Sequence, residues 1–277
     1  MAQGISSAFV ELFDAEVKQA YQASRMLAGI TRERNNVEGN VVKFPKIGKG
    51  TATVRVPQTD VTPLNVTYSQ VSVTMSDYIA AEYSDIFHQA KVNFDERREL
   101  VQVVGNAIGR RMDQLVIDAL NAASSPSTVA TSVGGADTNM NLAKLLAAKK
   151  ALDAKNVPAE GRCMIIHANG LSALLDETEL TSSDFATVKA LSQGEIDTFL
   201  GFKFIMLGDR DEGGIPLPST RTNFAFHRDA IGLGVSMAQK SEINYVPEKT
   251  SFLVSSMFSA GAVAIDDEGI VHISSTE

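Results

Sequence analysis

The spacing of apolar and polar residues changes along the chain, and the changes divide it into five parts. Residues 5–29 carry apolar side chains at mostly helical spacing, which predicts an amphipathic N-terminal segment. The β-rich runs VVKF, TATVRV and VTYSQVSVTM follow within residues 37–75, separated by turn residues. Because VVKFPKI and TATVRVP flank Gly48-Lys49-Gly50, they predict a β-hairpin with its turn at these three residues.

Residues 93–123 carry the clearest helical pattern in the sequence. Asn93 and Glu96 fit the start of a helix with a capping box. Gly105 and Gly109 interrupt the pattern, and each destabilises a helix by about 1 kcal/mol relative to Ala. We therefore expect a bend or a close approach of another segment at these residues. One apolar stripe runs along the helix through Leu100, Val101, Val104, Ile108, Met112, Leu115 and Val116.

A Ser-, Thr- and Gly-rich break at residues 124–138 separates this helix from an α/β pattern. The α/β pattern predicts helices at 142–155, 169–176 and around 184–191, and strands at 162–167 and 201–207. From residue 223 onward the pattern is β-rich again. A β-rich layer on both sides of an inserted α/β segment, with a long helix beside it, predicts an α+β fold with a discontinuous domain.

The charge distribution adds one feature to this picture. The chain has 277 residues and a formal net charge of −8, so binding of nucleic acid over its whole surface is disfavoured. Residues 41–57 nevertheless carry four basic residues and no acidic one. These residues are Lys43, Lys46, Lys49 and Arg55.

The sequence carries no sign of secretion or of membrane insertion. Its N-terminus lacks a basic region before an apolar core, and Glu11 interrupts the apolar residues there. The apolar run at 251–265 is too short and too rich in serine to cross a bilayer. The single cysteine, Cys163, lies in an apolar run and is expected to be a buried structural thiol. We therefore expect a soluble protein made in a cytoplasm.

Motifs that carry chemistry are weak throughout. The four histidines, His88, His167, His227 and His272, are far apart, so we expect structural or surface roles for them and no zinc site. GVSMA at 234–238 lacks the closing glycine of a nucleophile elbow, and GLG at 232–234 lacks the third glycine of a dinucleotide-binding loop. The acidic run at 209–213 departs from a calcium loop. We predict no catalytic residue, no cofactor and no metal.

Three blocks of the sequence resemble the major capsid proteins of tailed bacteriophages, whose fold is named after phage Hong Kong ninety-seven. NLAKLLAAKKALDAKNVPAEGRCMIIHANGLSALL at 141–175 looks like the start of the family's A domain. LGFKFIMLGD at 200–209 resembles a later strand of that domain. Residues 229–273 are similar to the closing P-domain segment. The order of arm, hairpin, strand and long helix upstream follows the same plan.

The resemblance implies a division of the chain into five parts. Residues 1–36 would form the N-terminal arm and 37–72 the E-loop hairpin. Residues 73–137 would begin the P domain, with the spine helix at 93–123. Residues 138–222 would form the A domain and 223–277 the closing part of the P domain. The family implies hexamers and pentamers in an icosahedral shell that encloses double-stranded DNA, with a separate scaffolding protein and a portal as partners. The protein would be found in virions and assembled in the cytoplasm of a bacterial host.

In this family the E-loop reaches across an adjacent subunit. The resemblance therefore implies a role in assembly for residues 41–57, which we call the basic ribbon. We expect inter-subunit contacts from Lys43, Phe44, Lys46, Ile47, Lys49 and Arg55. A few relatives join subunits by an isopeptide bond from an E-loop lysine. Lys46 and Lys49 lie at the expected tip, but no matching asparagine or assisting glutamate is identified in this sequence.

Two alternatives stay open from the sequence. The same fold forms the shell of encapsulin-type bacterial compartments, which hold an enzyme cargo instead of DNA. The chain could also be an enzyme that uses the α/β segment as its catalytic domain, although no acid–base pair, nucleophile or cofactor loop supports that hypothesis.

Overall fold

The computed structural model describes residues 22–91, 95–177, 198–210, 212–217 and 219–276. Twelve strands and four α-helices lie within these residues. The strands are β1 (Arg32–Arg34), β2 (Val41–Ile47), β3 (Tyr68–Thr74), β4 (Ser76–Asp85), β5 (Ser127–Val129), β6 (Arg162–His167), β7 (Thr198–Phe199), β8 (Phe202–Leu207), β9 (Arg221–His227), β10 (Ile231–Val246), β11 (Ser251–Ala264) and β12 (Ile270–Ser275). The helices are α1 (Ile86–Gln89), α2 (Glu96–Asn121), α3 (Leu142–Ala154) and α4 (Ala168–Asp176).

A four-stranded sheet with the order β1-β10-β11-β4 supports the long helix α2. β10 and β11 pair as long antiparallel strands, β4 extends the sheet beside β11, and β1 runs parallel to β10. Ile108 and Met112 of α2 pack against Phe258 of β11. A Cβ at Gly109 would lie 3.1 Å from the backbone nitrogen of Arg25, so this glycine permits the close approach that the sequence predicted.

A six-stranded sheet with the order β5-β12-β9-β6-β8-β7 forms the second layer. β6 is buried at every position because both faces of the sheet are covered. Met164 and Ile166 point into a cluster formed with α3 and α4. Cys163 and Ile165 point into the opposite cluster, which α2 and β10 complete. Cys163 is therefore a buried thiol, as predicted, and burial raises its pKa.

The closing part of the chain contributes to both sheets. β9 and β12 pair with each other in the six-stranded sheet, whereas β10 and β11 lie in the four-stranded sheet. The predicted boundary at residue 222 therefore does not separate the two sheets. Strand patterns show which residues alternate but not which sheet a strand joins, so the sequence could not locate this crossover. The division into an A domain and a P domain stays a prediction.

Most local elements agree with the sequence analysis. α3, α4, β6 and β8 start and end within two residues of their predicted bounds, and α2 lies inside the predicted range 93–123. Asn93 lies outside the described residues, and the residue that precedes the first turn is Asp95. β10 is one strand of 16 residues within the predicted β-rich part, with register shifts between Val235 and Lys240. The helix expected around 184–191 also lies outside the described residues.

The described end of the predicted amphipathic N-terminal segment is not helical, although its apolar residues recur at mostly helical spacing. Residues 22–29 form no helix, and residues 5–21 lie outside the described residues. The physical reason is a buried carboxylate on α2. Asp113 accepts hydrogen bonds from the backbone N–H groups of Met26 at 2.8 Å and Leu27 at 3.0 Å. These bonds give the two amides partners that do not require a helix.

Candidate interaction surface

The basic ribbon lies in a β-hairpin that projects from the four-stranded sheet. β2 and β3 pair antiparallel from Val41 with Thr74 to Ile47 with Tyr68, and we call these two strands the hairpin root. Residues 48–67 connect them and form the hairpin tip. The backbone N–H of Gly48 donates to the carbonyl of Thr67 at 2.8 Å, which closes the root.

The hairpin predicted around Gly48-Lys49-Gly50 is therefore wrong in its second strand. VVKFPKI pairs with residues 68–74, and TATVRVP belongs to the hairpin tip without strand structure. Residues 51–56 have high β-propensity, but a strand forms only where a partner strand and a packing face are available. The tip is exposed at every residue from 51 to 65, so the described residues provide it with neither a partner strand nor a packing face.

The hairpin root packs closely against three glycines of β10 and β11. We call Gly232, Gly234 and Gly261 the glycine seat. A Cβ at Gly232 would lie 2.8 Å from Cε2 and Cζ of Phe44, and a Cβ at Gly234 would lie 2.6 Å from Cε of Met75. A Cβ at Gly261 would lie 2.6 Å from the carbonyl oxygen of Thr74. The GLG motif therefore serves close packing of the hairpin against β10, since only glycine leaves this space.

The apolar side of the root is buried on this seat. Val42 and Phe44 are each 2% exposed and pack with Met75 and Ile265. Phe44 was expected to contact a neighbouring subunit, but its ring is buried by contacts within its own chain.

Two of the four basic residues form ion pairs within the chain. Lys46 Nζ lies 2.8 Å from Asp266 Oδ1, and Lys49 Nζ lies 2.5 Å from Glu268 Oε2. The hydrogen bond to Glu268 raises the pKa of Lys49, and the same bond lowers the pKa of Glu268. Both acids lie in the turn between β11 and β12, so the two ion pairs join the end of the root, at Lys46, and the start of the tip, at Lys49, to the body of the molecule.

The other predicted contact residues face solvent. Lys43, Ile47 and Arg55 are exposed, and Ile47 retains 64% of its accessible surface. The hairpin tip adds further exposed apolar side chains that sequence analysis did not assign to the site. These are Val54 (93% exposed), Val56 (57%), Val61 (85%) and Leu64 (56%), with Tyr68 (80%) at the end of the root.

Sequence analysis missed the acidic partners of the ribbon. Asp266, Asp267 and Glu268 follow one another directly after an apolar strand, and this cluster was the available signal. Asp267 is engaged elsewhere, because its carboxylate accepts from the backbone N–H of Ser125 at 3.0 Å. Pairing between residues 220 positions apart depends on the tertiary fold, so the cluster alone could not identify its partners.

Three of the four histidines make structural contacts in the described part of the chain, and His88 is exposed. His227 Nε2 lies 2.8 Å from the carbonyl of Glu160, and His272 Nε2 lies 2.9 Å from the carbonyl of Leu120. His167 Nδ1 accepts from the backbone N–H of Asn169 at the start of α4. Over the described ranges, no three His, Cys, Asp or Glu side chains converge as metal ligands. Nor does any helix in those ranges have the length and apolar character to cross a membrane.

Comparison with solved structures identifies the same architecture in bacteriophage capsids. The capsid of cyanophage P-SCSP1u superimposes with a TM-score of 0.80 at 16% sequence identity, over 100% of this chain and 96% of that chain. A chain from Mycobacterium phage Che8 gives a TM-score of 0.74 at 18% identity, over 95% and 96% of the two chains. The head structure of Helicobacter pylori bacteriophage KHP40 gives 0.74 at 12% identity, over 95% of each chain. The α+β capsid fold predicted from the sequence is therefore confirmed.

Sequence comparison supports the same assignment. No curated protein matches this chain. A family model described as phage capsid protein matches residues 5–277, which is nearly the whole sequence. With this match and the full-length agreement of the fold, the chain belongs to the phage capsid protein family.

Proposed function

We propose that this chain is the major capsid protein of a tailed bacteriophage and assembles into hexamers and pentamers that form an icosahedral head around double-stranded DNA. The observation that carries the proposal is the hairpin tip, which presents Val54, Val61 and Leu64 to solvent at the end of a projecting hairpin. Burying one such side chain contributes about 1.5–3 kcal/mol. A second copy of the chain is the partner that would bury them in a closed, repeating shell.

The hairpin tip and the exposed side of the root form the proposed inter-subunit contact. Ile47 and the tip valines supply apolar area, while Lys43 and Arg55 supply positive charge towards an acidic neighbour. Lys46 and Lys49 contribute indirectly, because their ion pairs with Asp266 and Glu268 hold the end of the root and the start of the tip in place. Phe44 acts in the same indirect way from its buried position on the glycine seat.

The proposed role is structural, with no catalytic function and no cofactor. The net charge of −8 favours enclosure of DNA without tight binding, because a strongly basic wall would hold the phosphates and oppose release. A scaffolding protein and a portal are the further partners we propose for assembly in the host cytoplasm, with the virion as the final location.

Electron microscopy of the purified protein, expressed alone and with the neighbouring genes of its source genome, tests this function. We expect closed shells or capsomers, and particles from an infected host should contain double-stranded DNA. A subunit that stays monomeric under both conditions would contradict the proposal. Particles that contain an enzyme cargo and no DNA would instead support the encapsulin-type alternative.

The hairpin contact has its own test. The double variant Val54→Asp and Val61→Asp should leave the subunit folded but abolish shells, since both residues lie in the tip and contact no core cluster of the described residues. The matched control, Val54→Ile and Val61→Ile, keeps the apolar surface and should assemble normally. Shells of normal yield from the aspartate variant would show that the tip is not the contact.

A further inference from the structure

The hairpin tip contains a strand pattern that forms no strand within the described residues of the subunit. Residues 51–56 read TATVRV, in which polar and apolar residues alternate at every position. Strict alternation is typical of a strand with one polar and one apolar face. In the structure the whole segment is exposed, and Val54 retains 93% of its accessible surface. A local preference that the fold leaves unused points to a partner outside the subunit.

The strand β4 is an open edge of the four-stranded sheet. Within the described residues it pairs with β11 on one side, and no strand lies on its other side. The backbone N–H of Tyr83 donates to the carboxylate of the adjacent Glu82 at 3.2 Å, so this N–H points away from β11. Alternate residues direct their N–H groups to the same side, so those of Ile79 and Ala81 also point outward. An edge of ten residues without proline can receive an added strand.

One face of β4 lies towards α2 and carries an acidic side chain. Tyr78 and Ala80 pack with the residues of α2, and Ser84 Oγ donates to Glu96 of that helix at 2.8 Å. The pairing with β11 has no register shift along β4, so the alternation is regular. Glu82 therefore lies on the same side as these three residues of the strand.

The opposite face of β4 presents apolar side chains to solvent. Ile79 is 68% exposed and Tyr83 is 42% exposed. Both lie on the side away from α2, because they alternate with the residues that pack against that helix. Lys249 Nζ lies 4.0 Å from the centre of the Tyr83 ring and covers part of it. The edge therefore has an apolar side and an acidic side, as the segment 51–56 has an apolar side and a basic side.

The charges of the two segments are complementary. β4 carries three acidic residues and no basic one, namely Asp77, Glu82 and Asp85. Two cations lie over its rings, but Arg111 is paired with Glu212, so the strand keeps an excess of negative charge beside Lys249. Residues 51–56 carry Arg55 and no acid. Opposite charges on neighbouring strands favour pairing.

We propose that residues 51–56 of one subunit pair with the β4 edge of a second copy as an added strand. This inference rests on the proposed shell function and names the surface that receives the hairpin tip. When the apolar residues of the segment lie beside Ile79 and Tyr83, alternation places Arg55 on the same side as Glu82. One orientation of the segment therefore satisfies the apolar and the charged contacts together. The outward N–H and C=O groups of β4 supply the backbone hydrogen bonds.

Disulfide cross-linking in assembled shells tests the pairing. Val54→Cys is placed on one copy of the chain, and Ile79→Cys, Ala81→Cys or Tyr83→Cys is placed on a second, co-expressed copy. A bond between the two cysteines then joins two subunits. After mild oxidation we expect dimers on a non-reducing gel from at least one of the three combinations, because all three partners lie on the side of Ile79.

The controls separate the pairing from chance contacts. Ala80→Cys lies on the α2 side of β4 and should give no dimer with Val54→Cys. The native Cys163 is buried, and each single variant oxidised alone gives the background. If shells form normally but none of the three combinations gives a dimer, the strand pairing is overturned and the shell function stands. Absence of shells from the unmodified chain counts against the proposed function itself.

Ala81→Pro tests the backbone contact. The N–H of Ala81 points away from β11, so proline removes an outward donor and keeps the bonds to β11. We expect the subunit to keep its Tm, while the yield of shells falls about tenfold or more. Ala81→Val retains the N–H and should assemble normally. Normal shell yield from Ala81→Pro would contradict the proposal. If this variant does not fold, the cross-linking decides, since it leaves the backbone of the edge unchanged.

Discussion

Lys46 Nζ and Asp266 Oδ1 lie 2.8 Å apart although the two residues are separated by 220 positions in the sequence. The contact joins the hairpin root to the turn after β11, beside the parallel ion pair of Lys49 with Glu268. The basic ribbon therefore has a partner inside the subunit before any neighbour is present. This arrangement separates two roles of the hairpin, since the root and Lys49 at the start of the tip are fixed within the chain, whereas residues 51–65 of the tip are exposed for a contact between chains.

The Lys46–Asp266 pair can be measured by a double-mutant cycle in the unassembled subunit. Lys46→Ala, Asp266→Ala and the double variant should give a coupling free energy of about 0.5 kcal/mol in urea unfolding, because both side chains are more than one-third exposed. The coupling should fall in 1 M salt, which screens exposed charges. A coupling of zero in the subunit at low salt would indicate that Lys46 binds only a neighbouring copy.

Asp113 should be among the most sensitive positions of α2. Asp113→Asn leaves the buried Arg210 without its carboxylate and weakens the bonds to Met26 and Leu27, so we expect a loss of about 3 kcal/mol in the free energy of unfolding. Asp118→Asn on the same helix is the matched control. Its side chain is exposed, and we expect a change of less than about 0.5 kcal/mol. Equal effects at the two positions would contradict the anchoring role of Asp113.

The glycine seat predicts a steric effect at residue 232. Gly232→Ala places a Cβ 2.8 Å from two ring carbons of Phe44, so we expect a loss of about 1–3 kcal/mol in thermal or urea unfolding. Gly208→Ala is the control, because no heavy atom lies within 4 Å of the Cβ position there. Adding Phe44→Leu to Gly232→Ala should recover part of the loss, and no recovery would argue against Phe44 as the clashing group.

Lys144 predicts a pH dependence of stability. Its side chain is fully buried, and Nζ donates to the carbonyls of Thr138 and Asn139 at 2.5 and 3.1 Å. Burial lowers its pKa below the ordinary value of 10.5. Between the folded and unfolded pKa values the unfolded chain binds more protons, so the contribution of Lys144 to the free energy of unfolding rises with pH.

The measurement is urea unfolding of the unmodified protein and of Lys144→Met at a series of pH values from 8 upward. The difference between the two proteins isolates Lys144 from the other lysines, whose titration is common to both. We expect this difference to change in favour of the unmodified protein as pH rises toward 10.5. A difference that is constant with pH would show that the pKa of Lys144 is not lowered in the fold.

The sequence predicted the elements whose signals are local. β6 follows from a short apolar run and α3 from helical periodicity with Asn141 at its start, where the side chain accepts from the backbone N–H of Lys144. The second strand of the hairpin was placed too early, because TATVRVP and VTYSQVSVT are both rich in β-branched residues that favour strands. The choice between them depends on tertiary packing, because β3 packs through Val73 against the cluster that contains Phe44 and Met75.

For the candidate site, the sequence predicted the location but not the roles of the individual residues. Its location in the hairpin follows from the charge pattern and the family resemblance. The roles of individual residues do not, because exposure depends on the strand register. Within β2, Phe44 and Ile47 have similar apolar character, yet one is 2% and the other 64% exposed. The acids opposite Lys46 and Lys49 lie in a distant turn, so no local pattern connects them.

The position of β12 has a consequence for synthesis of the protein. β12 lies between β5 and β9 in the six-stranded sheet, although it follows all the other described strands in the chain. During translation, β9 therefore stays without one neighbour until residues 270–275 have left the ribosome. The turn that carries Asp266 and Glu268 precedes β12 directly, so the partners of the hairpin root also emerge late. A nascent chain that has not yet released residues 266–275 thus lacks both the finished sheet and the anchored hairpin, so we expect subunit association only after these residues have left the ribosome.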